Sequence, residues 1–450
     1  MRGKMSLQTV FSPSIAKGDV TVERFVIQGG GRLVGEVPIS GAKNAAVAIL
    51  TATVLAEKPC IIENVPNIRD VSIILKILTD IGAVVQTIDR STVMIDTKHV
   101  QKAEVPYEMA RLYRASYYFL GVLLGRFGRA SVAMPGGCDL GVRPIDLHIK
   151  AFEALGAKVS LEQGGMVDVK ADNLIGTHIY MDGYSVGATI NAILAAVKAN
   201  GLTVIENAGK EPHIVDLANF LNSMGADIRG AGTDVIKIRG VSHLGGATYS
   251  IIPDQIETGT FMVAAAATRG NVLIKNVIPK HLECITAKLR KIGAVVEEFD
   301  DSIKVVRTGG LLKDNIKTMP HPGFPTDMQA QITVLLALAQ GTSIITESIF
   351  DNRFRYVEHL RHMGAHIQVD GNIAIVEGGH PLKGAPVIAT DLRAGAALII
   401  AGLCAQGTTY IEDIYHIERG YEDMESKLCG LGADIKKIYT PDPLGMSQAL

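Results

Sequence analysis

Residues 68–85 read Ile68-Arg69-Asp70-Val71-Ser72-Ile73-Ile74-Leu75-Lys76-Ile77-Leu78-Thr79-Asp80-Ile81-Gly82-Ala83-Val84-Val85. Ile68, Val71, Ile74, Leu75, Leu78 and Ile81 fall on one face at 3.6-residue spacing, which predicts an amphipathic helix. It closes on Gly82, the residue type best able to take a left-handed conformation past a helix end, and a short apolar strand follows. The Gly-Ala pair returns at Gly156-Ala157, Gly225-Ala226, Gly293-Ala294, Gly364-Ala365 and Gly432-Ala433, at intervals of 74, 69, 68, 71 and 68 residues. One supersecondary unit is therefore repeated six times.

Upstream of these helices lie small-residue segments such as Ala45 to Leu55, Ala192 to Ala199, Phe261 to Thr268, Ile332 to Ala339 and Ala394 to Ala405. A Gly-containing turn and a β-branched strand follow, as in Cys60-Ile61-Ile62-Glu63 and Thr203-Val204-Ile205-Glu206. The pattern predicts an α/β fold in which three units close around shared alanine-rich helices and six make two similar domains. One unit departs in length: 22 residues separate Met134 from its Gly-Ala pair, against 17 to 20 in the others. The excess falls in Pro135-Gly136-Gly137-Cys138-Asp139-Leu140-Gly141-Val142-Arg143-Pro144. A glycine-rich loop bracketed by prolines on a repeated scaffold reads as a lid or site element.

At 450 residues and 47% apolar content the chain can bury large cores. A net charge of -2 provides no overall attraction for nucleic acid or an anionic membrane, and the absence of Trp with 5% aromatics removes base-stacking platforms. The longest uncharged apolar stretch, Ala394 to Ala405, has 12 residues, short of the ~20 needed to span a bilayer. Residues 1–20 lack the apolar run of a secretory signal, so a cytoplasmic location is expected. Five cysteines without a CxxC pair and 12 histidines without an HExxH pattern argue against a disulfide framework or a metal site.

Lys43, Arg114 and Arg393 stand at the predicted starts of small-residue helices. A cation there opposes the helix dipole by ~0.3–1 kcal/mol, so its recurrence at equivalent positions points to a site that holds phosphate. Cys138, five residues before Arg143 in the glycine-rich loop, reads as an exposed, electropositive and reactive thiol, whereas Cys60, Cys284, Cys404 and Cys429 read as core residues. Asp327 follows two prolines at a helix start and is a cap, or a base if the fold brings it to the cations. Glu211 and Arg419 precede second helices, where solvated or capping roles are the default.

Seven segments occur in one order: Ser40-Gly41-Ala42-Lys43-Asn44-Ala45-Ala46, Arg114-Ala115-Ser116, the Pro-Gly-Gly-Cys loop through Arg143-Pro144-Ile145-Asp146-Leu147-His148, Ser185-Val186-Gly187-Ala188-Thr189, Pro325 to Gln331, Asp391-Leu392-Arg393 and Arg419-Gly420-Tyr421-Glu422. In these the chain, from Arg24 to Lys437, resembles the UDP-N-acetylglucosamine 1-carboxyvinyltransferases of the enolpyruvyl transferase family. The resemblance implies two inside-out α/β barrel domains with the substrate cleft between them. It divides the chain into an extension (1–21), a first barrel (43–251, with the active-site loop 134–145), a discontinuous second barrel (22–42 and 252–437) and a tail (438–450).

The implied reaction joins phosphoenolpyruvate to the 3-hydroxyl of UDP-N-acetylglucosamine and releases phosphate by addition and elimination, with no cofactor. By matching position, Lys43, Asn44, Arg143, Arg393 and Arg419 would hold phosphoenolpyruvate. Arg114, Arg143, Pro144, Ile145, Asp146, Leu147, Ser185, Val186, Asp327 and Ile349 would contact the nucleotide sugar. Cys138 would donate a proton or form a pyruvate adduct, Asp327 would act as general base, and Glu211 would shape the charge field. Gly183, Gln255 and Asp351 depart from the family pattern. The rival readings are the sister transferase acting on shikimate 3-phosphate, a catalytically silent relative, and a six-unit scaffold such as a DNA clamp.

Overall fold

The computed structural model describes residues 21–105, 107–112, 114–134, 145–161 and 165–441. Six helices are buried: Lys43–Ala52, Tyr118–Phe127 and Val186–Ala196 in one half, Gln255–Ala267, Gln329–Leu338 and Leu392–Cys404 in the other. Their small side chains let them pack directly on one another within each half. A helix that is apolar or small all round must be covered on every side. The cover comes from outer helices and, among the described residues, from six sheets, five four-stranded and one three-stranded. This is the inside-out arrangement, helices at the centre and sheets outside.

The six-fold repeat is visible in the backbone. Gly82, Gly156, Gly225, Gly293, Gly364 and Gly432 all have positive φ, between 91° and 112°, at the ends of the outer helices. A second repeated device was not foreseen from the sequence. Asn64, Asn207 and Asn276 follow the first strands of their units with φ of 54°, 56° and 58°, and their side-chain amides donate to the carbonyls of Ile251, Met181 and Ile39. Each bond ties the end of one strand to the residue leaving its parallel neighbour.

The parallel neighbours explain how the chain divides. His178–Tyr180, Ile316–Lys317 and Pro386–Ile388 each lead into a buried helix and pair with the strand emerging from it. Two units exchange this partner. Val34–Pro38 pairs with Asn271–Lys275, and Thr248–Ser250 pairs with Cys60–Glu63. The chain thus leaves one half after Pro38 and returns to it after Ser250. The buried apolar residues fall into two clusters accordingly, one from Ala42 to Ile251 and one combining Phe25 to Ile39 with Ile256 to Ile435. The two crossings run side by side, bridged at Gly41 and Pro253. A side chain at Gly41 would begin 1.8 Å from the Asn64 carbonyl oxygen, so only glycine fits.

Two expectations are corrected. The strand Asp434–Pro441 pairs with Thr21–Gln28 along its full length, so residues 438–441 belong to a sheet and not to the tail. Cys429 is exposed, with its thiol on the Ile435 carbonyl at 3.2 Å, whereas Cys60 is buried as expected. Among the described residues no helix is long and apolar enough to cross a membrane.

Candidate active site

Lys43 is the first residue of its buried helix, and its ammonium reaches Asp70 Oδ2 at 3.0 Å. Asp70, in the first turn of the outer helix Arg69–Asp80, is 0% exposed and also accepts from Arg419 Nε at 2.9 Å. Arg419 belongs to the other half, so one carboxylate orients two cations drawn from both sides of the cleft. Gly420 makes the approach possible: a Cβ there would lie 2.8 Å from Lys43 Cδ and 2.7 Å from Leu392 Cδ2.

A second carboxylate repeats the pattern. Asp327 sits in the 3-10 turn Thr326–Met328, where it caps no helix end. It receives Arg393 Nη2 at 3.0 Å and Arg353 Nη2 at 3.1 Å. Arg393 and Arg353 are 5% and 3% exposed at the side chain, against 28% for Asp327. Although burial pushes the Asp327 carboxyl up, the attraction of Arg393, Arg353 and Lys43 wins and holds it well below the usual carboxylate range. The two clusters adjoin through Gly420, which lies against both Lys43 and Leu392, the residue before Arg393. Buried Glu347 fixes the turn, accepting from Thr318 at 2.8 Å and Thr326 at 3.0 Å and from the Ile349 backbone at 2.9 Å. Four cations thus converge on two carboxylates in a mostly buried site. Arginine and lysine donors gathered in this way suit a small, highly charged anion.

On the facing half, Ser185 caps the helix Val186–Ala196 through Ala188 N at 3.2 Å. Ile145 is buried before the helix Asp146–Ala154, with Asp146 exposed and Leu147 half-buried. Gly183 lies 3.6 Å, measured from its virtual Cβ, from Leu147, which brings the Ser185 and Leu147 segments together. Glu211 caps nothing; its Oε1 accepts from the Tyr184 hydroxyl at 2.6 Å, and its buried Oε2 has no partner among the described residues. Burial and the adjacent Glu211 charge raise the Tyr184 phenol above its ordinary value.

The sequence model of a family described as EPSP synthase (3-phosphoshikimate 1-carboxyvinyltransferase) matches residues 27–428. UDP-N-acetylglucosamine 1-carboxyvinyltransferase 3 of Caldanaerobacter subterraneus subsp. tengcongensis is 57% identical over 417 residues, covering 93% of this chain and 100% of its own length. The chain belongs to the UDP-N-acetylglucosamine 1-carboxyvinyltransferase family. Its Clostridium botulinum relative of that name is 56% identical over 93% of this chain and 100% of its own length. Among solved structures, the enolpyruvyl transferase NikO from Streptomyces tendae superposes with a TM-score of 0.86 at 27% identity, covering 94% of this chain and 100% of that one. An EPSP synthase from Acinetobacter baumannii, at 19% identity and a TM-score of 0.72 over 92% of this chain and 100% of its own, shares the fold.

Of the carboxyvinyltransferase positions named from the sequence, the structure brings together Lys43, Asp327, Arg393 and Arg419, with Asn44 half-buried beside Lys43. Cys138, Arg143 and Pro144 lie outside the described residues, as does the side chain of Arg114. Asp70 and Arg353 were not singled out. Asp70 reads as an ordinary acidic residue in a helix first turn, and Arg353 follows a turn without motif. Among the described residues no group of three or more His, Cys, Asp or Glu side chains is placed to hold a metal ion.

Proposed function

We propose that the chain transfers the enolpyruvyl group of phosphoenolpyruvate to the 3-hydroxyl of UDP-N-acetylglucosamine. The observation that carries this reading is the convergence of Lys43, Arg353, Arg393 and Arg419 on Asp70 and Asp327, in a chain with family relatives of 50% identity and more. Lys43, Asn44, Arg143, Arg393 and Arg419 hold the phosphate and carboxylate. Arg114, Arg143 to Leu147, Ser185, Val186, Asp327 and Ile349 hold the nucleotide sugar. The two domains, 43–251 and 22–42 with 252–437, close on the substrates, and the 134–145 loop covers them.

In the addition, the sugar oxygen bonds to the central carbon of phosphoenolpyruvate, its hydroxyl proton passes to Asp327, and the Cys138 thiol protonates the methylene carbon. The ketal then returns a methyl proton to the Cys138 thiolate and expels phosphate with the C–O electron pair, which regenerates the double bond, while the proton held by Asp327 leaves with the phosphate. Asp327 is ionised over the whole working range, ready to accept but weakly basic while both arginines grip it. Transfer of Arg393 to the incoming anion raises its basicity when the hydroxyl arrives. The reaction supplies peptidoglycan precursors in the cytoplasm, and through them cell shape and division.

The test is phosphate release from phosphoenolpyruvate with UDP-N-acetylglucosamine or shikimate 3-phosphate, using wild type and Cys138→Ala. Release with the nucleotide sugar alone, sharply reduced in the variant, is the expected result. Release with shikimate 3-phosphate instead assigns the chain to the sister activity, and release with neither makes it a silent relative.

A further inference from the structure

The helix that carries Lys43 and Asn44 has no cap of its own: the residue before it is Ala42. Its first N–H is taken by a carboxylate from the other crossing segment. Asp254 Oδ2 accepts from Lys43 N at 3.0 Å, while Asp254 Oδ1 accepts from Ile256 N at 2.7 Å and Glu257 N at 3.0 Å, capping the helix Gln255–Ala267. One carboxylate, 6% exposed, therefore caps two helices whose residues lie in different hydrophobic cores. Around it the crossings are tied by Asp254 N to Ser40 O at 2.9 Å and Ala42 N to Ile252 O at 2.7 Å. Ser40 N donates to Glu257 Oε2 at 3.0 Å, and Lys427 Nζ donates to Ser40 Oγ and Glu257. The Asp254 charge also acts on buried Arg393.

We propose that Asp254 is a positioning residue for enolpyruvyl transfer, one that sets the Lys43 ammonium in register with Arg393 across the two crossing segments. The inference rests on the functional reading above. An ordinary N-cap supports the helix that follows it and nothing else. Here the second oxygen reaches the backbone of a substrate-binding residue 211 positions away in the chain. Lys43 and the start of the Gln255–Ala267 helix are therefore fixed to each other through one carboxylate.

Asp254→Ser separates the two roles. Serine is a good cap for Ile256 and Glu257 but is too short to span to Lys43 as well. The expected result is a KM for phosphoenolpyruvate raised or a kcat lowered about tenfold, since small misplacements of a binding group carry costs of this size. The KM for UDP-N-acetylglucosamine should change less than about twofold by the same argument, the thermal midpoint should fall less than in Asp254→Ala, and amide exchange in residues 43–47 should accelerate. Asp254→Asn, isosteric and still able to cap through its carbonyl, carries the same expectation and covers the case of a serine variant that does not fold. Asp254→Ala should lose stability as well. Wild-type kinetics in a folded serine or asparagine variant overturn the proposal, as does unchanged exchange at residues 43–47. An inactive wild type would sink the functional reading instead, with exchange still deciding whether the shared cap exists.

Discussion

Asp70 shows what a single buried carboxylate can do when two cations depend on it. In Asp70→Asn the shape is kept but both charge-assisted contacts, to Lys43 and Arg419, are weakened at once. The expected outcome is a fall in kcat on the order of 10²-fold, because both cations lose their orientation; steady-state phosphate release checks it. Gly420→Ala probes the same place from the backbone. Its Cβ would press on Lys43 and Leu392, both movable side chains, so activity should suffer more than stability. A thermal midpoint that drops while the KM for phosphoenolpyruvate stays unchanged would contradict this. Neither residue announces itself in the chain. Lys43, Arg393 and Asp327 were legible because an arginine, a lysine or an aspartate at a helix start is either a cap or an oddity. Asp70 was not, since an acidic residue in a helix first turn is what the dipole favours anyway.

At the level of elements, four of the six buried helices are held at their starts by side-chain oxygens: Lys43–Ala52 and Gln255–Ala267 by Asp254, Val186–Ala196 by Ser185, and Leu392–Cys404 by Asp391. Asp391 caps the helix Leu392–Cys404, accepting from Arg393 N at 2.8 Å and Ala394 N at 3.1 Å. Asp391→Ala should cost ~1–2 kcal/mol of unfolding free energy, measurable by chemical denaturation, and Asp391→Asn only a few tenths of that scale. The alanine variant should also weaken phosphoenolpyruvate binding, because Arg393 sits on the turn that loses its cap. The six outer-helix ends were readable in full: glycine at each Gly-Ala pair, and positive φ at each in the structure. The repeated Asn64, Asn207 and Asn276 brackets were not readable. Asparagine after a strand signals a turn, but the carbonyl it will bind is 26 to 237 residues away.

The whole molecule turns on the two crossings. Asp216 ties the second one down, accepting from the Tyr249 hydroxyl at 2.5 Å and the Ile252 backbone at 3.2 Å. Burial outweighs these bonds and pushes its carboxyl up to about 6. Since the folded value lies above the unfolded one, this group favours the fold below about pH 4 and loses that contribution as pH rises through about 6. The stability of wild type relative to Asp216→Asn should therefore decline by roughly 2 kcal/mol between pH 4 and 7.5. Urea midpoints of both proteins at the two pH values check it, and a constant difference would contradict the assignment.

By itself the sequence determined the repeating unit, the burial of its alanine-rich helices, the glycine turns and the unusual cations, because periodicity, side-chain size and helix-end chemistry act over a few residues. Only the tertiary structure decided which strands pair across a crossing, that Asp70 and Asp327 each hold two cations, and that Asp254 caps two helices at once. Those partners are separated by tens to hundreds of residues. What places them is the closure of three units around shared helices, which no local pattern encodes.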